Sequence, residues 1–73
     1  MREGYVIVVR NYNAEIVRFV TMKEIIMPDS SKLYYVHTKY GNEYFKESDL
    51  FETKEELVEE CKQLNDAMKR ING

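Results

Sequence analysis

The chain has 73 residues, 44% of them hydrophobic and 33% charged, and a formal net charge of −2. This size and composition predict one folded domain with one small core, and they exclude a disordered chain. A single cysteine and a single histidine exclude an internal disulfide and the usual zinc sites. No apolar run is long enough to span a bilayer, and the start lacks the layout of a signal peptide, so we expect a cytoplasmic protein.

The charge is unevenly distributed between the two parts of the chain. Residues 1–46 carry seven Lys or Arg against five Asp or Glu, whereas residues 47–73 carry four against eight. Neither excess is large enough to indicate a nucleic-acid binder. The pattern predicts an acidic, solvated helix beside a nearly neutral sheet.

The first predicted element is a strand over residues 5–9, a short run of apolar and mostly β-branched residues. Because apolar residues occupy both faces of this strand, we expect both faces to be buried, which suits a barrel more than an open sheet. A turn is predicted at residues 11–13, since asparagine tolerates the left-handed region of the backbone.

Residues 14–27 fit neither the helical nor the strand period, and two interpretations remain open for them. Asn13 is a suitable N-cap for a helix over residues 14–24. Six β-branched residues argue against this helix, because such side chains lose rotamer freedom there. We therefore favour a long bent strand, or two strands that are interrupted near Thr21 and Met22.

A loop and a β-hairpin follow. Residues 28–31 predict a loop, because proline cannot donate to a β-ladder and Asp and Ser bond to nearby backbone groups. Residues 33–38 form the next predicted strand. A turn at Gly41 and Asn42 then returns the chain in an antiparallel strand over residues 43–46.

A single helix is predicted over residues 53–71, with Asn72 and Gly73 as its end. Thr53 and Glu56 have the spacing of a capping box, and glutamates crowd the first turns, where the helix dipole favours negative charge. An apolar stripe recurs at helical spacing and consists of Leu57, Cys61, Leu64, Met68 and Ile71. This stripe is predicted either to pack on the sheet or to pair with a second copy of the chain.

The junction between the last strand and the helix resembles a sequence phrase of a known group of proteins. The residues concerned are Asp49, Leu50, Phe51, Thr53, Lys54, Glu55 and Glu56. They are similar to the phrase that opens the C-terminal helix of small uncharacterised barrel-like proteins of Gram-positive bacteria and their phages. In that group, Val and Ala are commoner at the positions of Leu50 and Leu57. The resemblance implies an SH3-like or small five-stranded barrel with a C-terminal helix and no particular activity.

Together, these elements predict an α+β fold in a single domain over residues 1–73. Residues 1–52 form a small bent antiparallel sheet, or an SH3-like barrel, of four or five strands. Residues 53–73 form one C-terminal amphipathic helix. A core this small also makes self-association attractive as a source of added burial.

The sequence contains no catalytic motif. It lacks a glycine-rich phosphate loop, a pair of metal-binding histidines and a nucleophile elbow. We therefore expect a protein that is not an enzyme and that uses neither a cofactor nor a metal. His37, in an apolar strand, is interpreted as a packing or surface residue, and Cys61, on the helix stripe, as a small hydrophobe.

Aromatic and basic residues are interleaved through the β-rich part of the chain, which contains all six tyrosines. The candidate binding residues are Arg10, Tyr12, Tyr34, Lys39, Tyr40, Tyr44 and Lys46. Tyrosine is enriched at protein interfaces as a rigid anchor with a polar tip. The leading hypothesis is therefore a non-enzymatic module that binds a protein partner, or itself, through exposed tyrosines of the sheet.

Two other functions remain open. The phage character of the resemblance suggests a small inhibitor that blocks a host defence protein or traps a signalling nucleotide. The interleaved residues also suit a binder of single-stranded nucleic acid, in which bases stack on aromatic rings while cations hold phosphates. Against nucleic acid, the basic excess of residues 1–46 is small.

Overall fold

The computed structural model describes residues 2–72. Met1 lies outside the described residues, and so does Gly73, the second residue of the predicted helix end. The elements are β1 (Glu3–Arg10), β2 (Asn13–Ile26), β3 (Lys32–Thr38), β4 (Gly41–Lys46), two 3₁₀ turns (Glu47–Asp49 and Lys54–Leu57) and α1 (Val58–Asn72). The four strands form one antiparallel sheet in the order β1-β2-β3-β4, which is not closed into a barrel. The predicted α+β class is confirmed in its open form, a small sheet of four strands followed by one helix.

The β1–β2 hairpin closes through a tight turn of two residues. Arg10 pairs with Asn13, and between them Asn11 and Tyr12 have φ angles of 51° and 59°. Positive φ at both central positions is the geometry of a type I′ turn, whose twist matches that of the flanking strands. The turn predicted at residues 11–13 is therefore confirmed.

β2 is long enough to pair with two neighbours in succession. Its first half lies against β1, and its ladder with β3 begins at Val20. The register shifts between Thr21 and Lys23, so Met22 is left outside the ladder and is exposed. The predicted long bent strand is confirmed, with its irregularity at the predicted place, and the helix that Asn13 would have capped is not formed.

The loop predicted at residues 28–31 is also confirmed. The Asp29 carboxylate accepts a hydrogen bond from the N–H of Ser31 at 3.0 Å, and the N–H of Met27 donates to the Ser31 carbonyl at 2.8 Å. The Met27 bond closes the β2–β3 hairpin next to the last ladder pair, and the Asp29 bond fixes the turn between the two strands.

The β3–β4 hairpin turns at Lys39 and Tyr40, before the glycine. Thr38 pairs with Gly41, whose φ of 102° lies in the region that glycine adopts without strain. The Thr38 hydroxyl accepts a hydrogen bond from the N–H of Tyr40 at 3.1 Å. The turn predicted at Gly41 and Asn42 is wrong by two residues, because this glycine follows the turn and Asn42 lies in β4.

The core lies on one side of the sheet, here called the inner face, and the opposite side is the outer face. The buried residues of the core, on the inner face, are Val6, Val17, Phe19, Tyr34, Val36 and Leu50. Alternate residues of β1 point to the outer face, where Ile7 is partly buried and Val9 is exposed. The expectation that both faces of β1 are buried is therefore wrong at the end of the strand, because the helix covers only part of the outer face.

The chain crosses from β4 to the free edge of β1 through the 3₁₀ turn Glu47–Asp49. Phe51 then forms a single antiparallel bridge with Tyr5, with N···O distances of 2.7 and 3.0 Å. Gly4 permits this crossing, because a Cβ atom there would lie against the carbonyl oxygen of Phe51. Pairing ends after one residue because the chain turns into the helix, and the sheet stays open.

The helix begins where the sequence predicts it, but its first turn is a 3₁₀ turn. Thr53 is the N-cap residue of Lys54–Leu57, and α1 continues from Val58. The Glu56 carboxylate accepts hydrogen bonds from the N–H and the hydroxyl of Thr53, both at 3.1 Å. The predicted capping box is confirmed. No helix within residues 2–72 is long and apolar enough to cross a membrane.

Candidate functional site

The helix is anchored on β2 by hydrogen bonds to the backbone of Ala14. The Asn65 side chain accepts a bond from the Ala14 N–H at 2.7 Å and donates one to the Ala14 carbonyl oxygen at 3.0 Å. The Cys61 thiol donates to the same oxygen at 3.3 Å. Ala14 is buried and pairs with β1 only, so Asn65 supplies the partners that a neighbouring strand would otherwise provide.

The predicted apolar stripe of the helix is divided into a covered and an uncovered part. Leu57 is fully buried, and Cys61 and Met68 are partly buried. Leu64 and Ile71 are exposed, Ile71 by 80%. The stripe is therefore covered at Leu57, Cys61 and Met68, and its exposed surface is at Leu64 and Ile71.

The outer face of β2, β3 and β4 is left open by the helix. Directly opposed residues of antiparallel strands point to the same side of a sheet, so the register defines which residues share this surface. We call it the tyrosine face. Its three rows are Val20, His37 and Asn42; Lys23, Tyr35 and Tyr44; and Ile25, Leu33 and Lys46.

Two tyrosines contact each other in the middle row of the tyrosine face. The ring centroids of Tyr35 and Tyr44 are 4.7 Å apart, with an angle of 42° between the ring planes. Tyr35 is half-buried, whereas Tyr44 is 55% exposed. Such a tilted pair is favourable beyond the area it buries. The Tyr44 ring therefore has an aromatic neighbour within the sheet, and more than half of the residue stays exposed to solvent.

The tyrosine face carries positive but no negative side chains. Lys23 and Lys46 are exposed on its two outer strands, and within residues 2–72 neither forms an ion pair. The Nδ1 atom of His37 lies 2.6 Å from the Oδ1 atom of Asn42, so the imidazole is bonded across the β3–β4 pair. An approaching molecule meets an aromatic and aliphatic centre flanked by two unpaired ammonium groups.

A second group, here called the Tyr40 cluster, consists of Arg10, Glu15, Lys39 and Tyr40. The Tyr40 hydroxyl donates to the Glu15 carboxylate, which also forms an ion pair with Lys39. The Arg10 guanidinium lies 4.4 Å from the centroid of the Tyr40 ring. Hydrogen bonds from Lys39 and Tyr40 lower the pKa of the Glu15 carboxyl, and the bond to Glu15 raises the pKa of Lys39. The polar groups of this cluster are thus partnered within the chain.

The other predicted binding tyrosines lie apart from both groups. Tyr34 belongs to the core and is 5% exposed; its hydroxyl donates to Glu47 at 3.0 Å, and the Arg2 guanidinium lies 5.4 Å from its ring centroid. Tyr12 lies at the tip of the β1–β2 turn and is 73% exposed. The Tyr34 ring is therefore unavailable to a partner, and Tyr12 is exposed without an aromatic neighbour in the described chain.

Several hollows lie on the surface. One of about 600 Å³, between the loop after β2 and the end of β4, is lined by two lysines and two acids among other residues: Asp29, Lys32, Lys46 and Glu47. Because these charges are balanced, the hollow does not favour a phosphate. Two more hollows, of about 290 and 120 Å³, lie between β1 and β4. In the part of the chain that the structure describes, no group of His, Cys, Asp or Glu is arranged to hold a metal.

Sequence reasoning missed Tyr35, Lys23 and Asn65, which build the tyrosine face and the helix anchor. Tyr35 and Tyr34 are neighbours in sequence, and only the phase of the strand separates the exposed face from the core. Asn65 lies four residues after Cys61, on the side of the helix that carries the apolar stripe. A polar residue on that side is the signal that indicates a buried hydrogen-bond anchor.

Comparisons with protein-family models, with curated proteins and with solved structures found no match to this chain. Its function is therefore inferred from the geometry of its own surface.

Proposed function

We propose that this chain is a non-enzymatic interaction module that binds a protein partner through the tyrosine face. The observation that carries the proposal is the Tyr35–Tyr44 pair, an ordered aromatic surface left open on the sheet. Tyrosine supplies a large contact area at a low cost in conformational entropy, and its hydroxyl finds a polar partner at the edge of a contact.

The composition of the tyrosine face supports this assignment. Ile25 and Leu33 form a partly exposed aliphatic surface beside the two rings, and polar side chains surround them. A protein interface has the same arrangement, with an apolar and aromatic centre inside a polar rim. Exposed apolar surface that is contiguous in this way is typical of binding sites rather than of inert surface.

The charges of the face indicate the chemistry of the partner. If a second copy presented the same face, Lys23 and Lys46 would approach residues of like charge, which disfavours that contact. A protein surface with acidic side chains around an apolar centre matches the face, because its acids would meet the two lysines and its apolar centre would meet the tyrosines. We therefore assign the site to an acidic partner protein rather than to a second copy of this chain.

We also propose a relation to the small SH3-like barrel proteins of Gram-positive bacteria and their phages. The meander of four strands, the 3₁₀ turn Glu47–Asp49 and the bridge from Phe51 to Tyr5 support this relation, with the closing strand reduced to one residue. The free thiol of Cys61 supports a reducing, cytoplasmic setting.

Capture experiments with two tyrosine variants test the proposed binding function. Tyr44 and Tyr12 are both exposed, but only Tyr44 lies on the tyrosine face, so Tyr12→Ala is the matched control for Tyr44→Ala. We expect wild-type protein and Tyr12→Ala to retain the same protein from a lysate of the source organism. Tyr44→Ala should retain it at least about tenfold less well, since truncation of an interface tyrosine costs about 1.4 kcal/mol or more. Equal retention by all three proteins, or by none, contradicts the proposal.

The same experiment separates the functions that the sequence leaves open. Retained material that is lost after nuclease treatment or with added salt indicates single-stranded nucleic acid, whose bases would stack on Tyr44 beside Lys46. A nucleotide detected by mass spectrometry in the purified protein indicates a nucleotide trap. A defence protein as the retained partner would specify the module as an inhibitor.

A further inference from the structure

The free edge of β1 presents backbone groups that have no neighbouring strand. The N–H and carbonyl of Tyr5 point away from β2, because both bond to Phe51. Backbone groups alternate in direction along a strand, so those of Ile7 and Val9 point to the same free side. Within the described residues this edge is paired at Tyr5 alone. Ile7 and Val9 are therefore open to pairing with another strand, through backbone hydrogen bonds like those between Tyr5 and Phe51.

A slot runs along this edge, between β1 and β4. It consists of two hollows that share Val9, one of about 290 Å³ and one of about 120 Å³ that extends to Tyr40. The larger hollow is lined mainly by apolar side chains, which include Val6, Phe45, Phe51 and Leu64. The slot therefore lies where one more strand would close the sheet, and its apolar lining is suited to the side chains of such a strand.

Three carboxylates line the slot, namely Glu43, Asp49 and Glu60. In residues 2–72 none of them forms an ion pair. The basic residue in the lining, Arg10, already lies over the ring of Tyr40. With three carboxylates and one partnered cation in its lining, the slot carries a net negative charge that attracts a cation. The charge of the slot therefore favours a basic occupant.

We propose that the slot binds an extended segment of a partner protein in which apolar residues alternate with Lys or Arg. The segment lies beside β1 and exchanges backbone hydrogen bonds with Ile7 and Val9, as Phe51 does with Tyr5. Its apolar side chains enter the slot near Phe45, and its basic side chains reach the carboxylates. Strand addition of this kind takes affinity from main-chain bonds and specificity from alternate side-chain positions. Of the nine residues of the tyrosine face, Asn42 alone also lines the slot, so this inference does not depend on the proposed function.

Amide hydrogen exchange with a defined peptide tests the proposal. The probe is a peptide of alternating Lys and Val, and the matched control is a peptide of alternating Glu and Val. In the free protein, the amide protons of Ile7 and Val9 should exchange fast, and those of Val6 and Val8, which point toward β2, slowly. The Lys–Val peptide should slow exchange at Ile7 and Val9 by about tenfold or more, and the Glu–Val peptide should not.

Charge reversals locate the binding in the slot. The double variant Asp49→Lys, Glu60→Lys should weaken binding of the Lys–Val peptide about tenfold. Glu55→Lys, a single charge reversal outside the slot, should weaken it less than about twofold. Slow exchange at Val6 and Val8 shows that a variant keeps the sheet, and Glu60→Lys alone replaces the double variant if this protection is lost.

Three results would overturn the proposal. They are unchanged exchange at Ile7 and Val9 with the Lys–Val peptide, equal protection by the Glu–Val peptide, and an equal loss of affinity in Glu55→Lys and the slot variant. Tyr44→Ala should bind the peptide as the wild type does, because Tyr44 lies on the other surface.

Discussion

At the scale of single residues, two buried threonines differ in the partners of their hydroxyl groups. Thr21 and Thr38 are both buried within strands. The Thr38 hydroxyl accepts the N–H of Tyr40, whereas the Thr21 hydroxyl has no hydrogen-bond partner within residues 2–72. A buried hydroxyl without a partner has lost its hydration and gained no bond in return, so it destabilises the fold.

We expect Thr21→Val to raise the free energy of unfolding by about 1 kcal/mol, because valine has a similar shape and no polar atom. Thr38→Val is the matched control and should lower it by a similar amount, since the N–H of Tyr40 loses its acceptor. Urea denaturation of both variants and the wild type measures the two changes. A loss of stability in Thr21→Val would contradict the assignment of an unpartnered hydroxyl.

The Glu15 carboxylate links the stability of the fold to pH. Hydrogen bonds from Lys39 and Tyr40 hold the pKa of Glu15 below its ordinary value of 4.5 in the folded chain. A group whose pKa is lowered by folding stabilises the folded state above its ordinary pKa. This contribution disappears as the pH falls through the lowered value.

We therefore expect Glu15→Gln to be less stable than the wild type near neutral pH and to approach the wild type below pH 4.5. Thermal unfolding across the acid range measures this difference. Lys39→Met removes the largest cause of the lowered pKa, so it should reduce the pH dependence in the same way. A stability difference between Glu15→Gln and the wild type that stays constant down to acid pH would show that the ionised carboxylate is not the group involved.

At the scale of elements, the long strand β2 connects the two parts of the molecule. Its first half pairs with β1 and receives the helix, while its second half pairs with β3 and carries part of the tyrosine face. The bulge at Met22 separates the two halves. The Asn65 bonds to Ala14 hold the helix at the first half, and this position keeps the tyrosine face uncovered.

Asn65→Ala should lower the free energy of unfolding by about 1–2 kcal/mol. The change leaves the buried N–H of Ala14 without an acceptor, and the better helix propensity of alanine offsets part of the loss. Gln63→Ala is the control. Gln63 is exposed, and within residues 2–72 its side chain bonds only to Glu59 on the helix surface, at 3.4 Å, so we expect a change within about 0.5 kcal/mol. Denaturant titration measures the free energy of unfolding of both variants. An equal change in the two would mean that the bonds from Asn65 to Ala14 do not stabilise the fold.

At the scale of the whole molecule, the open sheet gives an elongated shape of 41 × 23 × 22 Å. The helix covers part of the outer face over β1 and β2, and the tyrosine face on β2, β3 and β4 is left open. Because a chain of this size has a small core, it cannot cover every apolar surface that its strands create. We propose that a partner bound to the tyrosine face adds the burial that the chain does not supply itself.

Local signals in the sequence were enough to predict most elements. The β-branched residues of β2, the asparagines of the first turn and the Thr53 and Glu56 pair each act within a few residues, and each predicts the observed structure. The Gly41 turn was misplaced because glycine serves equally well within a turn or directly after it. A local signal of that kind fixes the presence of a turn but not its register.

The candidate site could be predicted only in part, because it depends on register. Tyr34 and Tyr35 have the same chemistry, and pairing across three strands decides that Tyr34 enters the core and Tyr35 the outer face. The bulge at Met22 changes the phase of β2, so Lys23 joins Tyr35. Closure of the sheet likewise depends on where the chain leaves β1 after Phe51, which no local pattern specifies.

Position-specific photo-crosslinking tests the central claim, the binding of a partner protein by the tyrosine face, most directly. A photoreactive phenylalanine derivative would replace Tyr44 in one variant and Tyr12, an exposed tyrosine outside the face, in the other. Both variants would be expressed and irradiated in cells of the source organism. We expect one protein to be crosslinked at position 44 and not at position 12. Crosslinking of that protein at both positions alike, or crosslinking at position 44 to nucleic acid alone or to nothing, would contradict the account.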